Sequence, residues 1–144
     1  MATDIPLLDE TIARLPGDIL KDIAEQGKTD LYFFSKGILQ YKDMTERCHM
    51  PLTVFLDSNP AQFKLALMPR DHLKTSVATI GGTMQRGVRD PNSRNLIANE
   101  SATNAERMLR AIRQHCESNR IFRTLYSDVI PKDLRKVRWN DQEL

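Results

Sequence analysis

The stretch that decides the reading is Phe63-Lys-Leu-Ala-Leu-Met-Pro-Arg-Asp-His-Leu-Lys-Thr-Ser76. Phe63 to Met68 is a short apolar run, which predicts a buried strand. Pro69-Arg-Asp-His72 is polar and turn-like. Lys74 to about Arg86 has helical potential, weakened in its second half by Gly81-Gly82. A loop feeding a helix N-terminus points several backbone N–H groups at one spot, and the helix dipole adds partial positive charge there. A lysine at the helix start can reach the β- and γ-phosphates of a nucleotide, and a hydroxyl beside it can ligate the bridging magnesium. Lys74 and Thr75 supply that pair, with Ser76 as an adjacent hydroxyl. The standard loop reads G-x-x-x-x-G-K-[ST], and Met68 and Leu73 stand where its two glycines would be. On spacing alone the segment is either a nucleotide loop or an ordinary strand-turn-helix whose lysine caps nothing.

Downstream, Asp90-Pro-Asn92 predicts a turn, and Asn95-Leu-Ile-Ala-Asn99 is a second apolar run of strand length. Thr103 and Glu106 form a T-x-x-E capping box. It opens the most regular helical pattern in the chain, with Ala105, Met108, Leu109, Ile112 and Cys116 on one face and Arg107, Arg110 and Arg113 projecting away. Ile121, Phe122, Leu125 and Tyr126 follow, then a Pro131 break and Val137-Arg-Trp139 as a candidate edge strand. Strand, loop, helix, strand and helix together predict a β-α-β unit with a parallel pair.

Upstream the pattern is helical. Ile5 to Leu15 predicts one helix, broken by Pro16-Gly17; Asp18 caps a second, with Ile19, Leu20 and Ile23 inward and an end near Gly27. Asp30 caps a third, Leu31 to Leu39, with Phe33, Phe34, Ile38 and Leu39 in the core. Pro51 takes a first-turn position in a fourth, Pro51 to Ser58, and Ser58-Asn59-Pro60 stops it. The expected organisation is a small helical region over 1–60 and an α/β region over 61–144.

Composition narrows the class. The chain has 144 residues, 40% hydrophobic and 28% charged, which suits one globular domain and excludes a disordered chain. No run approaches the roughly 18–20 apolar residues of a membrane span, and the N-terminus lacks a signal-peptide pattern. Cys48 and Cys116 form no CxxC, and His49, His72 and His115 have no ligand spacing with them, so a reduced cytosolic protein without zinc is expected. Charge is uneven: residues 1–63 hold six Lys/Arg against ten Asp/Glu (net −4), and residues 64–144 hold fifteen against nine (net +6). Arginine drives the shift, through Arg86, Arg89, Arg94, Arg107, Arg110, Arg113, Arg120 and Arg123. That balance suits a phosphorylated or nucleic-acid ligand, or simply a solvated basic face.

Leu67-Met-Pro-Arg-Asp-His-Leu-Lys-Thr-Ser76 resembles the deviant Walker A motif of the large terminase subunit of tailed bacteriophages, in which P-R-x-H-x-K-[ST] replaces the glycine-rich form. The similarity runs on through Asp90–Ser101, Ala105–Leu109 and Asn119–Tyr126. Upstream it takes in Phe33–Leu39 and Cys48–Leu52, so it covers roughly residues 30 to 140. It implies a P-loop NTPase-type parallel sheet, present only in part and preceded by a small helical region. The implied activity is an ATP-driven motor that packages double-stranded DNA into procapsids. By resemblance, Pro69, Arg70, Asp71, His72, Leu73, Lys74, Thr75 and Ser76 bind ATP. Lys74 holds the β- and γ-phosphates, Thr75 ligates Mg²⁺, and Arg70 stabilises the γ-phosphate. His72 shapes the loop, and the region of His49, Pro51 and Leu52 approaches the adenine. The implied partners are DNA, a portal protein, a small terminase subunit and further copies of the chain, with no membrane and with the host cytoplasm as location.

The resemblance also sets what is missing. No apolar run leads into paired acidic residues to serve as a Walker B strand; Asp9-Glu10 follows only Pro6-Leu7-Leu8. Coupling and nuclease motifs are absent as well. The expectation is therefore the front portion of an ATPase domain, without turnover of its own and with an unpaired apolar edge prone to association. Two rivals stand beside it: a catalytically inactive module that binds DNA or partner subunits, and an unrelated small α/β protein in which Lys74 and Thr75 are incidental.

Overall fold

In the computed structural model, residues 11–12 and 14–131 are described. Helix α1 (Gly17–Thr29) starts directly after Pro16, with Asp18 in its first turn rather than capping it, and Lys28 in its last turn. That charge order suits the helix dipole. Asp30 then caps the next helix as the sequence predicts, its carboxylate accepting the Phe33 N–H at 2.9 Å. This helix, α2, is an α turn over Leu31–Phe33 that widens into a π turn over Phe34–Ile38. Phe34, Ile38 and Leu39 are buried, and Phe33 is half-buried.

Helix α3 (Glu46–Ser58) begins earlier than the proline pattern suggests, so Pro51 lies inside it. Pro51 is exposed and has no backbone N–H to give the helix. Helix α4 is a π turn over Thr75–Gly81 continued as an α-helix over Gly82–Arg89. Gly81 is needed there: a Cβ on it would lie 2.7 Å from Ser35 Oγ, where α4 meets α2. Helix α5 (Ala102–Ser118) is capped by Ser101, whose hydroxyl accepts the Asn104 N–H, so the Thr103–Glu106 pair falls within the helix instead of opening it. Helix α6 (Arg120–Leu125) is capped by Asn119, and Ile121, Phe122, Leu125 and Tyr126 are all buried.

The described residues contain no strand, and this corrects the expected α/β class with its P-loop-type parallel sheet. Residues 63–68 and 95–99 run outside any helix but pair with nothing; among the described residues their backbones make no backbone hydrogen bond. Phe63, Leu65 and Leu67 are 88%, 77% and 81% exposed, the opposite of the burial predicted for that run, and Leu96 is 92% exposed. An apolar run signals a need for cover, not a ladder, and a strand exists only through a neighbour's hydrogen bonds. Helices already fill the interior, so neither run has a layer to join. Phe34 and Ile38 of α2 meet Met84 and Val88 of α4, Ile112 of α5 and Phe122 of α6 in one core. Phe34 packs edge-on against Phe122, with ring centroids 6.1 Å apart. A smaller cluster of Met44, Leu52 and Val77 takes Ala66, Met68 and Leu73 against it, anchoring both ends of the segment that precedes α4. Most of the helix expected over Ile5–Leu15, and the edge strand expected at Val137–Trp139, lie outside the described residues.

Candidate phosphate-binding loop

The loop is built from both sides. Its entry is held by Met68 and its exit by Leu73, each packed against the small cluster that Val77 shares from α4. Between those anchors the backbone reverses through two non-glycine residues in the left-handed region, Asp71 at φ 63° and Leu73 at φ 50°. Leu73 occupies the second glycine position of the standard loop, and it takes the conformation for which glycine is the usual choice. The sequence counts the missing glycine against a phosphate loop; the backbone bends there without it. His72 Nδ1 lies 2.7 Å from the Arg70 carbonyl, so its ring N–H donates within the loop.

Nine consecutive residues, Met68 to Ser76, line one cavity of about 520 Å³. The structure thus brings together the eight loop residues the sequence nominates: Pro69, Arg70, Asp71, His72, Leu73, Lys74, Thr75 and Ser76. Lys74 is half-buried at the entrance to α4 and Arg70 is exposed; no carboxylate pairs with either among the described residues. Two unneutralised cations against the single carboxylate of Asp71 leave the loop net positive. His49, Pro51 and Leu52 do not line this cavity. His49 is instead buried on α3, its Nδ1 facing the backbone of Thr45.

The donor set fits phosphate better than a free cation. Thr75 and Ser76 offer hydroxyls at the start of α4, but the described residues hold no cluster of three His, Cys, Asp or Glu able to bind a metal by themselves. Magnesium would fit here only as the companion of a polyphosphate, with Thr75 giving one oxygen and the phosphate giving others.

Sequence reasoning missed a second concavity, of about 780 Å³, bordered by Met84 and Val88 of α4, Leu109 and Ile112 of α5, and Ile97 and Ile130 from outside the helices. Its lining residues carry the ordinary signature of a helical core, so nothing in the pattern separates a groove from packed interior. Cys116 borders it, and burial, with Glu117 next, pushes this thiol up to about 11, far from a reactive thiolate. Elsewhere Tyr41 stacks edge-on against His115 with Oη 3.3 Å from Nε2, and burial lifts the phenol to about 12 while it lowers the imidazole. Asn119 fixes the tautomer. Its Oδ1 accepts the Phe122 N–H, so its amide nitrogen, a pure donor, faces His115 Nδ1; Nδ1 accepts and Nε2 carries the proton.

Arg110 and Arg113 bond carboxylates of their own helix, Glu106 and Glu117, and Arg123 bonds the Glu117 carbonyl. Among the described residues no helix is long and apolar enough to cross a membrane. The chain matches no family model, no curated protein and no solved structure.

Proposed function

We propose that the chain grips the β- and γ-phosphates of ATP through residues 69–76, and that it is the ATP-binding front portion of a DNA-packaging motor of the large-terminase type. The observation that carries this reading is the cavity lined by nine consecutive residues at the mouth of α4, Arg70 and Lys74 among them, with no carboxylate paired to either among the described residues. Helix N–H groups and the helix dipole favour an anion at that place. Lys74 neutralises the bridging phosphates, Arg70 meets the terminal one, and the Thr75 hydroxyl, with Ser76 beside it, holds the Mg²⁺ that accompanies them. The grip is local to loop and helix, so it does not depend on a sheet.

Turnover is not part of the proposal for this chain alone, since its sequence offers no apolar run into paired carboxylates to activate water. Double-stranded DNA, portal and small-subunit partners belong to the motor reading as a whole. The intrahelical bonds of Arg110 and Arg113 favour a solvated face on α5 over a DNA track, and so weaken the reading as a DNA-binding module.

Titration of a fluorescent ATP analogue with Mg²⁺ tests the proposal. Saturable binding should weaken about tenfold or more in Lys74→Ala and in Arg70→Ala, the cost of one charge-assisted phosphate contact. Unchanged affinity in both variants, or no binding by the folded native chain, refutes it.

A further inference from the structure

Residues 63–68 expose the wrong face for an isolated chain. Burial alternates over residues 65–68, as side chains do on the two faces of an extended segment. Here the smaller set, Ala66 and Met68, packs inward on the Met44–Leu52–Val77 cluster. The larger set, Phe63, Leu65 and Leu67, stands 88%, 77% and 81% exposed. Together these three present about 450 Å² of apolar side chain, within the roughly 300–600 Å² of the largest patch on a typical monomer, a patch that is often functional. A standard two-partner interface takes about 800 Å² from each side and is about 57% non-polar, so its apolar share is also about 450 Å². The flanking Gln62 is exposed and supplies part of a polar rim.

Charge points to the occupant. Lys64 is the only charged residue between Asn59 and Met68, and its ammonium is drawn back onto the Leu56 carbonyl at 2.5 Å. An uncharged face selects no charged partner; it fits best against another uncharged apolar face of equal extent. A second copy of this chain offers one. The net charge of the chain is only +2, which gives little repulsion between copies.

We infer that Phe63, Leu65 and Leu67 form a two-fold contact through which two copies of this chain associate, each copy seating these residues on the same three of its partner. In such an isologous contact the central residue, Leu65, lies near its own copy across the axis. Phosphate binding plays no part in this contact.

Sedimentation velocity of the full chain, run across the micromolar range, tests it alongside Leu65→Lys and Leu65→Glu. The native chain should pass from monomer to dimer with concentration. Each variant alone should raise the dimer dissociation constant about a hundredfold, because like charges then face each other across the axis. Mixing the two variants should restore dimers. Leu65 is exposed, so both variants should keep the native circular dichroism spectrum, and Leu65→Ala serves as a milder variant. A native chain that stays monomeric overturns the inference and leaves the face to a partner of another kind. Native-like dimers in either charged variant, or monomers in the mixture, overturn it as well.

Discussion

Replacing Gly27 with alanine places a methyl group where α1, α2 and the residue following α6 meet. Its Cβ would lie 2.5 Å from Ile38 Cδ1 and closer still to Tyr126 Oη. Neither neighbour yields easily: Ile38 and Tyr126 are both 1% exposed, and the tyrosine hydroxyl donates to the Ala24 carbonyl at 3.0 Å. Overpacking a filled core costs about 1–3 kcal/mol, and displacing the hydroxyl forfeits a hydrogen bond worth about 1 kcal/mol. Alanine returns up to about 1 kcal/mol over glycine in a helix interior. The net expectation is destabilisation of about 2 kcal/mol, which lowers the urea midpoint by about 1 M at a slope typical of small domains. Gly87→Ala is the matched control. It lies in α4, where an added methyl would meet nothing within 4 Å, so it should stabilise by about 0.5–1 kcal/mol. Tyr126→Phe removes the atom in closest conflict and should cost less in the Gly27→Ala background than in the native one. Equal rises in midpoint for Gly27→Ala and Gly87→Ala would refute the three-way junction.

Stability should fall below neutral pH through His115. Burial lowers its folded-state value from 6.5, so the unfolded chain binds the extra proton first; stability is complete above about 6.5 and declines as pH drops towards the lowered value. His115→Gln should flatten that part of a urea-midpoint profile against pH. Asn119→Ala removes both the cap of α6 and the 2.9 Å bond to the Ile38 carbonyl, so thermal or urea unfolding should show a loss of about 2–3 kcal/mol. Asp71→Asn keeps a residue type that tolerates the left-handed region on an exposed loop; it should change stability by less than about 1 kcal/mol. Having removed the one negative charge of the loop, it should also tighten binding of the ATP analogue.

The sequence carried the helices and the loop far better than the class of fold. Caps are local chemistry, so Asp30 was legible, as were the apolar stripes of α2 and α5. Cap positions one or two residues off, at Ser101 rather than Thr103, arose because several hydroxyl residues compete there and packing chooses among them. Pro51 misled because its tolerance inside α3 depends on facing water, which local spacing does not encode. The strands failed for a deeper reason: Phe63–Met68 and Asn95–Asn99 have strand composition, yet pairing is a property of a neighbour that the run itself does not specify. At the candidate site, the eight nominated residues are contiguous, so their common cavity followed from the loop closing on itself.

Leucine at the left-handed bend changes how the loop meets a ligand. A glycine there would wander in the free protein and be frozen on binding, with an entropic cost each time. Leu73 is pinned instead by its own side chain, packed on Met44, Leu52 and Val77. The shape of the loop is thus set in advance by the hydrophobic interior, and the interior becomes a dial for the loop. Trimming Val77 or Leu52, neither of which lines the cavity, would loosen Leu73 and turn a preorganised cradle into one that must be assembled by whatever enters it.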